Sequence, residues 1–433
     1  MSPTLRSTAR HSYDEAAALI AGYSARRARF RPGVERIALE DAAGCVLADP
    51  LYADCDQPPF ARSSRDGFAC RAAEASTHRP LAVAGVTRAG QAPSGPLPRG
   101  SAWEIMTGAP VPPGANAVVM LEHVETSGGP SARTIRLLPP RTIEKNENII
   151  PRGAQARKGD KLLPVGTLIG AAQAALAAAC GFPALSVFLK PRVAILATGD
   201  ELVPIRSSPA PGQIRNSSSA MLAAMVAAAG GEPWVLPIAR DTAKSLDAAI
   251  ARAGAADLLL ITGGVSAGKF DLVEPALARA GAHFHFTGVR IQPGKPLVFG
   301  DLPKRSAKTD KSIRHAPIPI FGLPGNPVSS AVTFLLFAAP VLAALTGRLD
   351  HGPRFALAHL ISEVKARPGL TRFLPATCTF AGLLPQVAPI PSEGSGDLAA
   401  MARANCFIVV PEEGELRPKS RLEPGATVRI LLS

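Results

Sequence analysis

The sequence predicts a multi-domain α/β protein. It should hold a central parallel-sheet α/β domain, an inserted β-rich domain, a helical linking region and a small C-terminal β-barrel. Three observations predict this. From "RVAILATGDEL" to "FGLPGNPVSS", strand-like runs alternate with helix-like ones, which implies parallel strands joined by right-handed crossovers. Before them lies a long stretch of β-type residues broken by Pro and Gly, flanked by Ala-rich helical segments. After them, short apolar runs such as "NCFIVVPE" and "ATVRILLS" sit between turn residues, the pattern of a small barrel or sandwich. A chain of 433 residues is too long for one hydrophobic core, so roughly two to four domains are expected.

The elements follow in order. "YDEAAALIAGY" reads as a helix opened by Asp14 and Glu15, and Ala171 to Ala179 as an Ala-rich helix expected to pack against it. The runs "LAVAGVTRAGQ", "AWEIMTGAPVP" and "NAVVMLEHVE" form the inserted β-domain. The expected division is a discontinuous linking region (1–50 and 145–188), the β-rich insertion (51–144), the α/β domain (189–348) and the barrel (349–433). Within the α/β domain, "SSSAMLAAMVAAAGG" is a helix opened by Asn216 and closed by Gly230. "EPWVLPIARD", "DLLLITGG" and "PIPIFGLPG" are strands, separated by the helices "AKSLDAAIARAG" and "VEPALARAG". The run from Val328 to Gly347 is almost long enough to cross a bilayer, but Pro340, two serines and two threonines favour a helix buried on the sheet.

The net charge of +13 is concentrated in "RRARFR" and "KRSAKTDKSIRH". With only 5% aromatics and no stacking or zinc-finger motif, the excess points away from nucleic acid and towards a solvated basic surface around an anion site. The six cysteines form no C-x-x-C pair and no apolar leader is evident, which suits reduced thiols in a cytoplasmic protein that makes no membrane contact.

Sites in parallel sheets lie at the C-terminal ends of the strands. Here those ends carry Gly199, Asp200 and Glu201, then Asp241, then "GGVSAGKFD". Gly263, Gly268 and Lys269 fit the start of a P-loop, but Phe270 stands where a hydroxyl would hold Mg²⁺, so the ATPase reading fails. The loop still suits an anion held by backbone N–H groups. Acids at several strand ends, Glu201 and Asp271 foremost, converge on one crevice. Asp200 reads better as a turn or helix cap. Asp241 reads equally well as an N-cap for the helix from Ala243, the glycines of "GLPGNP" as turn formers, and the insert Lys304 to His315 as a solvated hairpin tip.

Five ordered motifs, "IMTGAPVPPGANAVVMLE", "ILATGDEL", "ITGGVSAGKFD", "QPGKP" and "FGLPGNPVSSAVTF", resemble those of the molybdopterin molybdenumtransferase family, which includes bacterial MoeA and the C-terminal domain of gephyrin. The resemblance spans nearly the whole chain. It implies insertion of molybdate into adenylylated molybdopterin with release of AMP, and Mg²⁺ as the metal. Glu201, Asp241 and Asp271 are then carried over as catalytic and metal-holding acids. Gly199, Asn216, Gly263, Gly264, Ser266, Gly268, Lys295, Pro324, Gly325, Asn326 and Ser395 are carried over as pterin or ligand contacts. Asp66 and Thr107 are carried over as catalytic residues reaching the site from the second subunit of a homodimer. The implied partners are a molybdopterin adenylyltransferase and molybdoenzyme acceptors.

The chain departs from the family pattern at several places. Arg65 replaces a Met, Ala154 and Gln155 replace an acidic pair, and Gly288 and Gln292 replace basic residues. Arg290, on the same strand face as Gln292, is positioned to restore a charge. Pro375 stands where the family has an arginine. The alternative reading is therefore a weakened paralogue that carries the cofactor without inserting the metal.

Overall fold

Four parallel strands form the floor of the α/β domain, the inner ones almost wholly apolar and buried and the edge strand Glu232–Val235 mostly exposed. Every side chain of Leu258–Thr262 is buried, as in a sheet covered on both faces. The computed structural model describes residues 10–30, 32–129, 132–264, 272–304, 316–365, 367, 369–380, 382, 384–412 and 421–433. Its central sheet has six strands in the order Glu232–Val235, Arg192–Ala197, Leu258–Thr262, Ile318–Leu323, Val298–Leu302, His283–Thr287. The first four are parallel; Val298–Leu302 runs antiparallel to both of its neighbours. The sheet is therefore parallel with a mixed edge. The sequence reading missed the hairpin pair because "HFHFTGVRIQPGKPLVFG" shows no helix between its two strands.

The helices cap where their sequences say they should. Ser217–Ala228 begins at Asn216, whose side chain accepts the Ser219 N–H, and Ala243–Ala253 begins at Thr242, which accepts from Ser245. Tyr13–Arg27 opens with a capping box between Ser12 and Glu15. The apolar helical run Pro327–Leu345 is 89% buried within the protein. It widens into a π turn over Phe334–Ala338, just where Pro340 has no N–H to offer the preceding turn.

One expected packing is not met. The helices Tyr13–Arg27 and Ala171–Ala179 lie in different cores. Tyr13, Ala16, Ile20 and Tyr23 join the apolar cluster of the α/β domain. Ala177 sits instead in a cluster with Ala42, Cys45, Leu47, Leu51 and Leu185, the last from the Ala184–Phe188 strand that pairs with Val34–Ala38. The first helix has a polar outer face and one buried stripe, and that stripe follows the larger apolar surface.

The β-rich part is a six-stranded sheet, with Gly67–Cys70 paired to Ser101–Ile105 and Ala117–Met120. Gly67 is required there, because a Cβ would lie 1.9 Å from the Val119 carbonyl oxygen. In the C-terminal region, Thr371–Thr379, Gln386–Pro389, Phe355–Leu360, Thr427–Leu432 and Cys406–Val410 pair in a ring, closed by the pairing of the first with the last. The short strand Ile291–Gln292, from the α/β domain, adds to this barrel by pairing with Thr371 and Arg372. Phe373, Phe407, Val409 and Leu431 of the barrel lie in the same apolar cluster as Val193, Leu260, Phe337 and Tyr13. Tyr13 meets both Phe373 and Phe337 edge-on, at 5.7 and 6.3 Å between ring centroids.

Phe373 is fully buried at this junction. Phe373→Ala should cost about 3–5 kcal/mol, measured by chemical denaturation, and should free the barrel region to unfold first. A loss below about 1 kcal/mol would show that the junction relaxes around the cavity.

Candidate active site

A crevice of about 1110 Å³ lies where the C-terminal ends of the parallel strands face the barrel. From the α/β domain it is lined by Thr198, Gly199, Glu201, Asp241, Gly263 and Gly264. Gln292, Lys295, Pro324, Gly325 and Asn326 extend that lining. The barrel side contributes Arg367, Arg372, Pro375 and Ser395.

Each acid is held by local geometry. Glu201 folds back over Gly199: a Cβ on Gly199, at φ +152°, would lie 2.4 Å from the Glu201 Oε2. The positive φ favours glycine there, and a larger residue would also displace the Glu201 carboxylate. The Asp241 carboxylate accepts a hydrogen bond from the Thr198 hydroxyl at 2.7 Å. The cap of the following helix is Thr242, so the N-cap reading of Asp241 falls. Asp200 does play a structural part, accepting the Asp241 N–H at 3.4 Å and pairing with Arg240 at 3.8 Å.

The backbone of the loop is packed as tightly. Gly263, at φ +94°, lies so close to the Thr198 carbonyl that a Cβ would come within 2.3 Å of its oxygen. Ser266, Gly268 and Asp271 lie outside the described residues. On the opposite rim, Asn326 donates through Nδ2 to the Ser395 hydroxyl at 2.7 Å, and the Val328 N–H donates to the Ser395 carbonyl at 3.1 Å. These bonds tie the 392–397 turn of the C-terminal region to the start of the Pro327–Thr333 helix.

Three expected site residues lie elsewhere. Asn216 is buried and bonds Ser219 through both its amide oxygen and its amide nitrogen, so it caps a helix and does not line the crevice. Asp66 and Thr107 sit together in the β-rich domain, the Thr107 N–H donating to Asp66 at 2.6 Å. That bond from Thr107 holds the Asp66 carboxyl below its usual pKa.

Of the charged residues lining the crevice, three were not singled out from the sequence: Arg367, Arg372 and Glu393. Arg372 donates through Nη1 to the Lys365 carbonyl at 2.6 Å, while its Nε is buried without a partner among the described residues. Burial, then the neighbouring Arg367, pushes its pKa down. Such a donor facing a crevice is suited to an anion. The sequence signal for the two arginines is the basic character around "RF", next to Pro375. Arg290 does not restore a charge here, because it pairs with Glu412 at 3.8 Å and does not line the crevice. Gly288 has φ +91°, so the backbone itself favours glycine over a basic side chain.

Among the described residues, no three His, Cys, Asp or Glu side chains converge into a metal cage. Glu201 and Asp241 nevertheless share one crevice, and Mg²⁺ is commonly held by one or two carboxylates plus substrate phosphate and water. The donor set therefore fits a cation completed by its substrate.

Comparison with known proteins assigns the chain. Residues 11–181 match the family model described as MoeA N-terminal region (domain I and II). Residues 194–344 match "Probable molybdopterin binding domain", and residues 358–432 match MoeA C-terminal region (domain IV). A molybdopterin molybdenumtransferase of Nostoc sp. is 34% identical, covering 87% of this chain and 85% of the relative. One from Bacillus subtilis is 34% identical, with coverage of 92% and 89%. The crystal structure of a molybdopterin biosynthesis moeA protein from Pyrococcus horikoshii superposes with a TM-score of 0.76 at 27% identity, covering 98% of this chain and all of the other. On the order of these domains and on these relatives, the chain belongs to the molybdopterin molybdenumtransferase family.

Proposed function

We propose that this protein is a transferase of molybdenum cofactor biosynthesis. It would insert molybdate into the dithiolene of adenylylated molybdopterin and release AMP. The observation that carries this reading is the charge arrangement of the crevice. Acids come from the ends of the parallel strands, while Arg367 and Arg372 come from the barrel region and Lys295 from the strand connection beside it. A reaction that joins an oxyanion to a pterin beside a pyrophosphate needs both signs of charge close together.

Glu201 and Asp241, with Asp271, would hold Mg²⁺, which neutralises phosphate charge when bound. The Gly263–Gly264 turn lines the same space, and the glycine loop it begins would suit the terminal phosphate of the pterin. Lys295, Arg367 and Arg372 would draw in molybdate, and Ser395, fixed by Asn326, would orient it. Asp66 and Thr107 line no part of this crevice, so their participation requires a second copy of the chain. We infer a homodimer with shared sites, acting in the cytoplasm between a molybdopterin adenylyltransferase and molybdoenzyme acceptors.

A second reading has its own support. Gln155 and Ala154 leave the "PRGAQARKGD" loop without its acidic pair, and Pro375 puts an apolar ring in the crevice where the family has a cation. A carrier would bind the pterin without turnover. The two readings part on one assay: an enzyme releases AMP from adenylylated molybdopterin only when molybdate is added, and a carrier releases none.

Glu201→Gln keeps the shape and removes the charge, so AMP release should fall by about 10²–10³-fold with the fold intact. An unchanged rate would remove Glu201 from the chemistry. The shared site makes a sharper expectation. Asp66→Asn and Glu201→Gln proteins, each inactive, should regain up to about a quarter of wild-type activity once their subunits have exchanged, because half the dimers are mixed and each then holds one intact site. No recovery after verified exchange would place both residues in the same subunit's site. A monomer by light scattering would end the dimer reading.

A further inference from the structure

Thr198 ends the Arg192–Ala197 strand and is 2% exposed, yet it lines the crevice. Both branches of its side chain are engaged. The hydroxyl donates to the Asp241 Oδ1 at 2.7 Å, and among the described residues no other side chain donates to that carboxylate. The methyl points the other way. It lies 3.4 Å and 3.2 Å from where Cβ atoms of Gly263 and Gly264 would stand, so it packs under the turn that begins the glycine loop. The backbone fixes the residue between the two: its N–H donates to the Thr262 carbonyl at 3.0 Å, and it bridges Ala239 in parallel register. A β-branched side chain so held has one χ1 setting, and this setting aims the two branches at two different strand ends.

We propose that Thr198 is a positioning residue that links the cation side of the site to the pterin side. Its hydroxyl aims Asp241 at the metal, and its methyl props the Gly263–Gly264 turn against the pterin phosphate. The proposal rests on the reading of the crevice as a cation-assisted pterin site. Asp241 is an exposed carboxylate on a loop, and without a fixed donor its side chain would sample several rotamers. Among the described residues the other Asp241 oxygen accepts no hydrogen bond, which sets the direction from which a cation is approached. A purely structural threonine would not discriminate between its two branches in ligand binding.

Two variants separate the branches. Thr198→Val keeps the shape and removes the hydroxyl; Thr198→Ser keeps the hydroxyl and removes the methyl. The full-length protein is titrated with Mn²⁺, in place of Mg²⁺, by electron paramagnetic resonance with adenylylated molybdopterin present. Metal-free pterin affinity is measured by calorimetry. Thr198→Val should weaken Mn²⁺ binding by about tenfold, the worth of one hydrogen bond to a charged group, with metal-free pterin affinity held. Thr198→Ser should keep Mn²⁺ affinity and weaken pterin binding by about threefold, the effect of one lost methyl under the turn. Thermal unfolding of both variants checks that the fold is kept. Wild-type Mn²⁺ affinity in Thr198→Val, or equal loss of both ligands in both variants, would overturn the proposal. Failure of the wild type to take up Mn²⁺ when adenylylated molybdopterin is bound would defeat the cation reading itself, and the positioning role with it.

Discussion

The structure depends on one apolar cluster that three parts of the chain share. Val193 and Leu260 rise from the sheet, Phe373 and Phe407 come down from the barrel, and Tyr13 enters from the N-terminal helix. None of these segments is near another in sequence, so the cluster is what fixes their relative positions. Close-packed apolar contact of this kind tolerates little relative sliding. The two-residue pairing of Ile291–Gln292 with Thr371 and Arg372 then sets the register of the barrel against the strand ends above it.

The electrostatics of the crevice follow from that docking. The α/β domain brings acids because strand ends followed by loops leave side chains at the mouth of the sheet. The barrel brings arginines, one of them with a buried Nε that nothing in the described protein satisfies. Each part holds both signs, Lys295 with the acids of the α/β domain and Glu393 with the arginines of the barrel, and docking brings the two sets together. Bringing acids and cations within one partly enclosed space strengthens each interaction with a ligand relative to open water. An anion bound in the crevice would offset part of the cost of leaving that Nε unpaired.

The α/β domain was the most legible part, because alternating strands and helices carry capping residues such as Asn216 at their boundaries. Glu201 and Asp241 were found for the same reason: the C-terminal ends of parallel strands say where a site lies. Arg367 and Arg372 were not found, since their place depends on how the barrel docks, and no local pattern records that. The antiparallel strand Val298–Leu302 was hidden because its neighbour precedes it without an intervening helix. The first helix was placed against the wrong partner, because an Ala-rich stripe does not specify which apolar surface it will meet. Asn216 shows the opposite limit. Its motif position suggested a ligand contact, while its local chemistry, an Asn three residues before a buried Ser, was that of a helix cap.

The central claim is that the two walls of the crevice, from the α/β domain and from the barrel, bind one ligand together. Amide hydrogen exchange on the intact protein, with and without adenylylated molybdopterin, tests it directly. The account predicts new protection in two separate stretches at once: the strand ends around Thr198–Glu201 and Gly263–Gly264, and the barrel residues around Arg372 and Ser395. Protection confined to one wall, with the other unchanged at saturation, would contradict it.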